Sequence, residues 1–439
     1  MENRKVIIIG SGIGGLAAGH WLGERGFDVE IHEASDRPGG RMRTLRRNGD
    51  LIDVGAQFYH SNYHLSFSLM DAVNIRSDLR PIIGKILFAL KDGTSFLYNS
   101  RNPYMRLLGL QGNMKLYWFV LRYILLGHRF PMYRIMKDIP EYDNVGVLDL
   151  FNSPADQRLR DFLVTPLSVG DNMGMPEWMN LYHFIHRFRI TLFTKLVYLA
   201  RGVASLPEEL AKRMPVYYGS RARRLVMEKG RVVGVEMENG GEVKKAAHVI
   251  VAVDPASAAP LMPEEMDKQR RFFDSIVYAS LPMPVFFLDR PLRKDVWCYF
   301  IDPGLRTPFM FAVDERAKAP EMIPGNKSVL TVWSGHPTSN ELFEQPDDVI
   351  IEKARRDIEI MIPGVAQWIE DAAMVRHPYG VARYSPGDYK KVLNFIEQAK
   401  DLKGVSFVSS VLGGTSMEAS IASAKAAVGR VCQWGGTIS

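Results

Sequence analysis

The stretch that most constrains this chain is Lys5 to Glu33, KVIIIGSGIGGLAAGHWLGERGFDVEIHE. A β-branched run, Val6 to Ile9, enters a turn carrying Gly10, Gly12 and Gly15, and an Ala/Leu-rich helix follows. A second short apolar strand, Phe27 to Ile31, ends on Glu33, within the roughly 20-residue reach of a dinucleotide-binding fingerprint. Each glycine has a mechanical reason. Gly10 makes the turn, Gly12 lets the backbone approach a pyrophosphate, and Gly15 lets the helix pack on the strand. The helix N-terminus offers unpaired N–H groups and partial positive charge to phosphates, and Glu33 is placed to accept hydrogen bonds from an adenosine ribose. The competing reading is a glycine turn with no ligand.

A chain of 439 residues exceeds one ordinary core, so two domains are expected. An apolar fraction of 46% with 24% charged residues excludes large-scale disorder. Two cysteines, Cys298 and Cys432, argue for a reducing compartment and against a disulfide framework or a cysteine metal site. The first strand begins almost at once, which leaves no room for a signal peptide, and no apolar run has the length of a membrane span. The expectation is a cytoplasmic protein, soluble or peripheral.

Beyond Glu33, Pro38-Gly39-Gly40 forces a turn followed by Arg41 and Arg43. Paired glycines let backbone lie flat against a ligand, and an arginine beside them can reach a phosphate bidentately. Residues 51–58 read as a strand returning to a glycine turn. No acid occurs between Asp92 and Asp138, where Arg101, Arg106, Lys115, Arg122, Arg129, Arg134 and Lys137 gather among aromatics around an apolar segment, 116–126. A second acid-free span runs from Glu177 to Glu208. Basic side chains interleaved with rings can lie at an anionic lipid surface; the alternative is an apolar core with solvated arginines. Nucleic acid is the weaker reading, since no RNA or DNA module accompanies the charge, which sums to +6.

Residues 203–214 predict a turn and helix. Short strands follow at Val216, 231–237 and 242–253, with Asn239-Gly240-Gly241 as a hairpin turn and HVIVAVDP rejoining the first sheet. Residues 275–386 alternate strands with Pro/Gly turns and one helix near 350–361, a mixed sheet. A strand at 405–410 and a small-residue helix at 416–431 close the chain.

The combination GSGIGGLAAG with Glu33, RPGGRMRT, the central VASLPEELAKRM and HVIVAVDP blocks, and GGTSMEASIASAKAA resembles the flavin-containing amine oxidase superfamily, with its protoporphyrinogen oxidase and phytoene-desaturase-like members. The resemblance implies an α/β fold: a discontinuous Rossmann-like FAD-binding domain (1–65, 203–262 and 398–439) and a mixed-sheet plus helical substrate domain (66–202 and 263–397). It implies non-covalent FAD, with Gly10, Gly12 and Gly15 around the pyrophosphate and Glu33 on the ribose. Gly40 and Arg41 would meet the pyrophosphate and ribityl side, Ala222 the adenine through its backbone, and Met417 would open the helix that faces the flavin pyrimidine.

Three departures from the pattern stand out. Ser409-Ser410 occupies the place of an acid that commonly holds a ribityl or phosphate group, leaving Ser410 to make that contact. Met283 stands where amine oxidases carry a lysine near the flavin. Ser416 and Gly380 stand where monoamine oxidases place two aromatic rings, with Tyr379 adjacent, and no cysteine there could form a flavin thioether. No catalytic residue is assigned; Gln57, Met283 and Tyr379 are the candidates near the flavin. The expected function is an FAD-dependent dehydrogenase, desaturase or oxidase that takes a hydride from a small hydrophobic or amphipathic substrate, with possible peripheral membrane contact. Rivals are an amine or amino-acid oxidase with a rearranged site, a low-turnover membrane flavoprotein and an NAD(P)-dependent reductase. No metal site is expected: there is no HExxH pattern, and His183 with His186 reads as a helix face.

Overall fold

Lys5–Ile9 forms the centre of a five-stranded, all-parallel sheet ordered Val216–Tyr217, Asp28–His32, Lys5–Ile9, His248–Val251, Val405–Phe407. The computed structural model describes residues 4–98, 105–126, 138, 140–238 and 241–435. Because side chains alternate along a strand, Val6 and Ile8 enter one core with Leu16, Ala17, Ile421 and Val428 of the helices Ile13–Gly23 and Met417–Gly435. Ile7 and Ile9 enter another, with Leu225, Val235 and Phe407. Burying each of these side chains contributes roughly 1.5–3 kcal/mol. The two helices approach closely: a Cβ on Gly14 would sit 2.6 Å from Ser420 Oγ and Val408 Cγ1, which accounts for the small residues in both.

A three-stranded antiparallel sheet joins Ala222–Glu228, Arg231–Met237 and Val243–Lys245. The single strand expected over 242–253 is therefore two. The chain changes sheets at Ala246 and Ala247, whose N–H groups donate to Val233 and Lys5 carbonyls. Asn239 and Gly240 of the expected turn lie outside the described residues. The strand expected over 51–58 is also shorter. Asp50–Asp53 pairs with Thr44–Arg47 through a turn in which Asn48 and Gly49 have φ of 51° and 84°. Residues 54–56 then leave the sheet to run along the arginine loop, with Val54 and Ala56 N–H donating to Arg43 and Arg41 carbonyls.

The second large sheet has seven strands, ordered Ile369–Ala382, Tyr278–Leu288, Ser328–Trp333, Phe311–Asp314, Val296–Ile301, Lys85–Ala89, Ser95–Tyr98. It is mixed, since only the pair Val296–Ile301 and Lys85–Ala89 is parallel. The helix Asp347–Met361 covers one face through Ile350, Ala354 and Ile358. The other face carries the helix Leu181–Leu192, in which Phe184, Ile185 and Phe188 join the same core as Met283 and Val375.

That placement corrects the lipid-surface expectation for the span between Glu177 and Glu208. Its helix is buried nearly all round, and Arg187 is ion-paired inside the protein with Asp171, an acid from outside the span. The first acid-free span differs. Among its described residues, Met105–Phe119 and the wider turn Val120–Leu125 bury one face and expose the other. Arg101, Arg129, Arg134 and Lys137 lie outside the described residues.

Candidate cofactor site

Gly10 has φ +99° and donates its N–H to the His32 carbonyl at 2.8 Å, tying the turn to the neighbouring strand. A Cβ on Gly15 would lie 2.1 Å from the Gly10 carbonyl oxygen, so helix and turn touch backbone to backbone. Gly12 is different: a Cβ there meets nothing within 4 Å, and the helix it opens has no side-chain cap. The first N–H groups of that helix thus border open space. Gly39 donates to the Ser11 carbonyl at 2.9 Å and bridges Gly12, and a Cβ on Gly40 would come 3.8 Å from Gly12 Cα. Both glycine loops therefore border the same space.

Glu33 is bound into this corner. Its carboxylate accepts from Ser11 N–H (2.8 Å) and hydroxyl (2.7 Å) and from Ser35 N–H (2.9 Å) and hydroxyl (2.8 Å). Burial works to raise its pKa, and these hydrogen bonds outweigh it, leaving a net lowering. Ser220 N–H donates to the Glu33 carbonyl at 2.8 Å, and Ala222 opens its strand two residues later. We expect Glu33→Gln to weaken FAD binding tenfold to a hundredfold, from the loss of about 1.5–3 kcal/mol for hydrogen bonds to a charged group. Fluorescence titration of the deflavinated protein reads this. Because the folded pKa is depressed, the contribution of the Ser11 and Ser35 hydrogen bonds to folding stability is complete above the ordinary value of 4.5 and is lost as pH falls through the lower folded pKa.

From the other end of the chain, Ser416 caps Met417–Gly435 by accepting from Ala419 N–H at 3.0 Å. Glu418, buried, accepts from Leu65 N–H, Ser66 N–H and Ser66 Oγ at 2.7, 2.9 and 2.7 Å, capping the helix His64–Ala72. The strand expected over 405–410 ends at Phe407. Ser409 Oγ accepts from Val411 N–H, and Ser410 begins a short buried turn.

Beneath Gly413–Ser416 lies a network that the sequence reading missed. Thr415 Oγ donates to Asn172 Oδ1 at 2.9 Å, and His183 bridges Asn172 Oδ1 and Tyr389 Oη at 2.7 Å each. Burial drives His183 well below its ordinary pKa, and burial with the Arg187 charge takes His186 to about 3, so both rings are neutral. The only signal in the sequence was polar residues inside an otherwise apolar helix. Among the described residues no group of three or more His, Cys, Asp or Glu could hold a metal.

At the junction of the two large sheets, Arg41 Nη1 donates to the Gly380 carbonyl at 3.1 Å. Tyr379 packs edge-on to Tyr278 at 5.6 Å, and the Tyr278 hydroxyl is buried with no partner among the described residues. Gln57 donates to the Asp53 carbonyl and accepts from Lys318 Nζ at 2.6 Å. Lys318 is fully buried, paired with Glu315 and 3.9 Å from Asp53. Asp53 in turn accepts from Thr44 Oγ at 2.8 Å and Val203 N–H at 2.9 Å. Met283 is buried in the core of the seven-stranded sheet, opposite Val375. The structure thus groups Gly10, Gly12, Gly15, Glu33 and Gly40 in one corner, with Ala222 two residues beyond Ser220. It links Gln57 to Lys318 rather than to Met283. The open space before Gly12, an uncapped helix N-terminus and a buried, unpartnered Tyr278 hydroxyl near Arg41 fit an extended anionic dinucleotide.

These features define a dinucleotide-binding fold with a candidate cofactor site. The profile for flavin containing amine oxidoreductases matches residues 13–432, and the chain belongs to that family. It is 23% identical over 184 residues to protoporphyrinogen oxidase 2 of Arabidopsis thaliana, covering 42% of this chain and 35% of that protein. It is 41% identical over 54 residues to the zeta-carotene-forming phytoene desaturase of Myxococcus xanthus, covering 12% and 10%. The chain thus matches about a third or less of the length of these relatives. A putrescine oxidase structure superposes with a TM-score of 0.79 over 99% of both chains at 14% identity, which shows the shared fold.

Proposed function

We infer that the protein oxidises a small hydrophobic or amphipathic substrate by moving a hydride to FAD, as a dehydrogenase, desaturase or oxidase. One observation supports this: Gly380 and Ser416, which the resemblance sets at the place of an aromatic pair in monoamine oxidases, carry no ring. A Cβ on Gly380 would lie 2.4 Å from Leu281 Cγ, and Ser416 is engaged as a helix cap. The names of two relatives, a protoporphyrinogen oxidase and a phytoene desaturase, support apolar substrates.

In this reading FAD, held without a covalent link, supplies the hydride acceptor, and the chain binds, orients and excludes water. Gly10, Gly12, Gly15 and Gly40 line the pyrophosphate. Glu33 holds the ribose, Ala222 the adenine, and Arg41 and Ser410 the ribityl side. The Met417 end of its helix would meet the pyrimidine and would favour negative charge there. Gln57, Met283 and Tyr379 are the residues that would line the flavin ring. The cofactor domain comprises 1–65, 203–262 and 398–439, and the remainder is the substrate domain. The two unpaired thiols, Cys298 and Cys432, favour a cytoplasmic setting, and the substrate class favours peripheral contact with a membrane.

An anaerobic substrate panel tests the reading. Lipids, isoprenoids or porphyrinogens are expected to bleach the flavin, and small hydrophilic amines are not. Bleaching by the amines alone would replace it with an amine oxidase.

A further inference from the structure

Within Met105–Phe119 the helix breaks at Gly109 (φ 69°), and beyond that kink its residues and the wider turn Val120–Leu125 expose Leu110, Met114, Tyr117, Trp118, Leu121 and Leu125 along one side. The exposures are large for such side chains: 79% for Leu110, 61% for Met114 and 53% for Leu121. On the opposite side Leu108, Gly112, Phe119 and Tyr123 are buried. A soluble surface rarely leaves so continuous an apolar row uncovered. Arg122 is exposed beside the row, and Lys115 flanks it with its Nζ 5.0 Å from the Trp118 ring centre. The acids facing this region are few: Asp156 lies 4.0 Å from Lys115, and Glu141 follows the acid-free span.

The geometry points to an anionic lipid bilayer as the partner of this face, with the helix lying in the interface. Three considerations select that occupant. Trp118 and Tyr117 are rings of the kind that settle at headgroup depth, with apolar Leu110, Met114, Leu121 and Leu125 beside them. The surrounding sequence is basic, with no acid between Asp92 and Asp138, which complements anionic headgroups. A second copy of this chain meeting the same face across a two-fold axis would oppose Arg122 and Lys115 with like charges. No helix among the described residues is long and apolar enough to cross a membrane, so this one lies on the bilayer. The inference deepens the peripheral contact proposed above. Binding is measured without turnover, so failure of the redox reading leaves it untouched.

The test is sedimentation of the purified flavoprotein with vesicles of phosphatidylcholine alone, or of phosphatidylcholine mixed with phosphatidylglycerol. The wild type is expected to partition at least about tenfold more strongly onto the anionic vesicles and to be released by salt. The variant Met114→Glu with Leu121→Glu changes only exposed positions. It is expected to lose the binding while keeping the wild-type flavin spectrum and thermal midpoint. Arg122→Gln is expected to weaken it by several-fold. Wild-type protein that ignores the anionic vesicles, or an acidic double variant that binds as well as wild type, would overturn the inference. So would a wild-type dimer that the double variant converts to monomer, which would give the face to a second copy.

Discussion

Gly15→Ala is expected to purify with little or no flavin, whereas Gly12→Val folds normally and fails only in cofactor binding. The added Cβ at Gly15 lands 2.1 Å from the Gly10 carbonyl oxygen, and neither partner is a flexible side chain. The turn and the helix must move apart. Such overpacking typically costs about 1–3 kcal/mol, occasionally more. That cost falls on the geometry that presents the first helical N–H groups, so roughly tenfold to a hundredfold in FAD affinity follows. Gly12 has φ −61°, which any residue adopts, and no protein atom within 4 Å of its virtual Cβ. Gly12 is the N-cap of its helix, where valine is a poor cap, so the deflavinated Gly12→Val protein should lose about 1 kcal/mol or less, a small shift in thermal midpoint. Its FAD titration should nonetheless collapse, because the isopropyl group fills the approach to the turn. Wild-type FAD affinity in Gly12→Val would show that the space before Gly12 is not where the pyrophosphate lies.

Lys318→Met should cause the largest loss of stability. It removes the cation from a fully buried group containing Asp53 and Glu315, and strands their charge. Breaking a buried pair from one side typically costs about 3–5 kcal/mol. Burial already raises the pKa of Asp53 and of Glu315, and Lys318 pulls both back. Without it both rise further. Since a raised carboxyl prefers its protonated form in the folded state, the deficit is smallest at acidic pH. It grows as pH rises from the unfolded-state values near 4 toward the folded ones. Urea melts at pH 5 and pH 8 should show this, with the larger loss at pH 8. Adding Glu315→Gln should recover part of the loss at pH 8, because the two residues share one network. A loss independent of pH would indicate simple packing damage. The same substitution releases Gln57 from its 2.6 Å bond, so it links a fully buried cation to a residue proposed to line the flavin.

How much of this was legible in the sequence depended on whether the cause was local. The β-branched run before Gly10 and the acid at Glu33 identified the central strand, its neighbour and the turn between them, since period and spacing are local properties. Asn48-Gly49 is a hairpin signal, and the strand it opens begins at Asp50, directly after the turn and ahead of the apolar pair Leu51-Ile52. The helix Leu181–Leu192 follows the apolar-core alternative, which its own window could not decide: Arg187 has no acid nearby in sequence, and Asp171 supplies its counter-charge only after folding. Lys318 had one local signal, its i,i+3 spacing from Glu315, but that pattern reads as an exposed helix pair; its burial is set by Asp53 and Gln57, which come from far along the chain. The same holds for Asn172 and Thr415, which meet only when the Met417–Gly435 helix docks. Residues set by period and turn chemistry could be read directly, and residues set by long-range closure could not.

The most direct test of the central claim, an FAD site built from the two ends and the middle of the chain, is the absorption spectrum of the purified protein with chromatography of the cofactor released on denaturation. A two-band flavin spectrum and about one FAD per chain, released without proteolysis, is the predicted result. Protein that purifies without flavin bands and shows no saturable uptake of added FAD would contradict it.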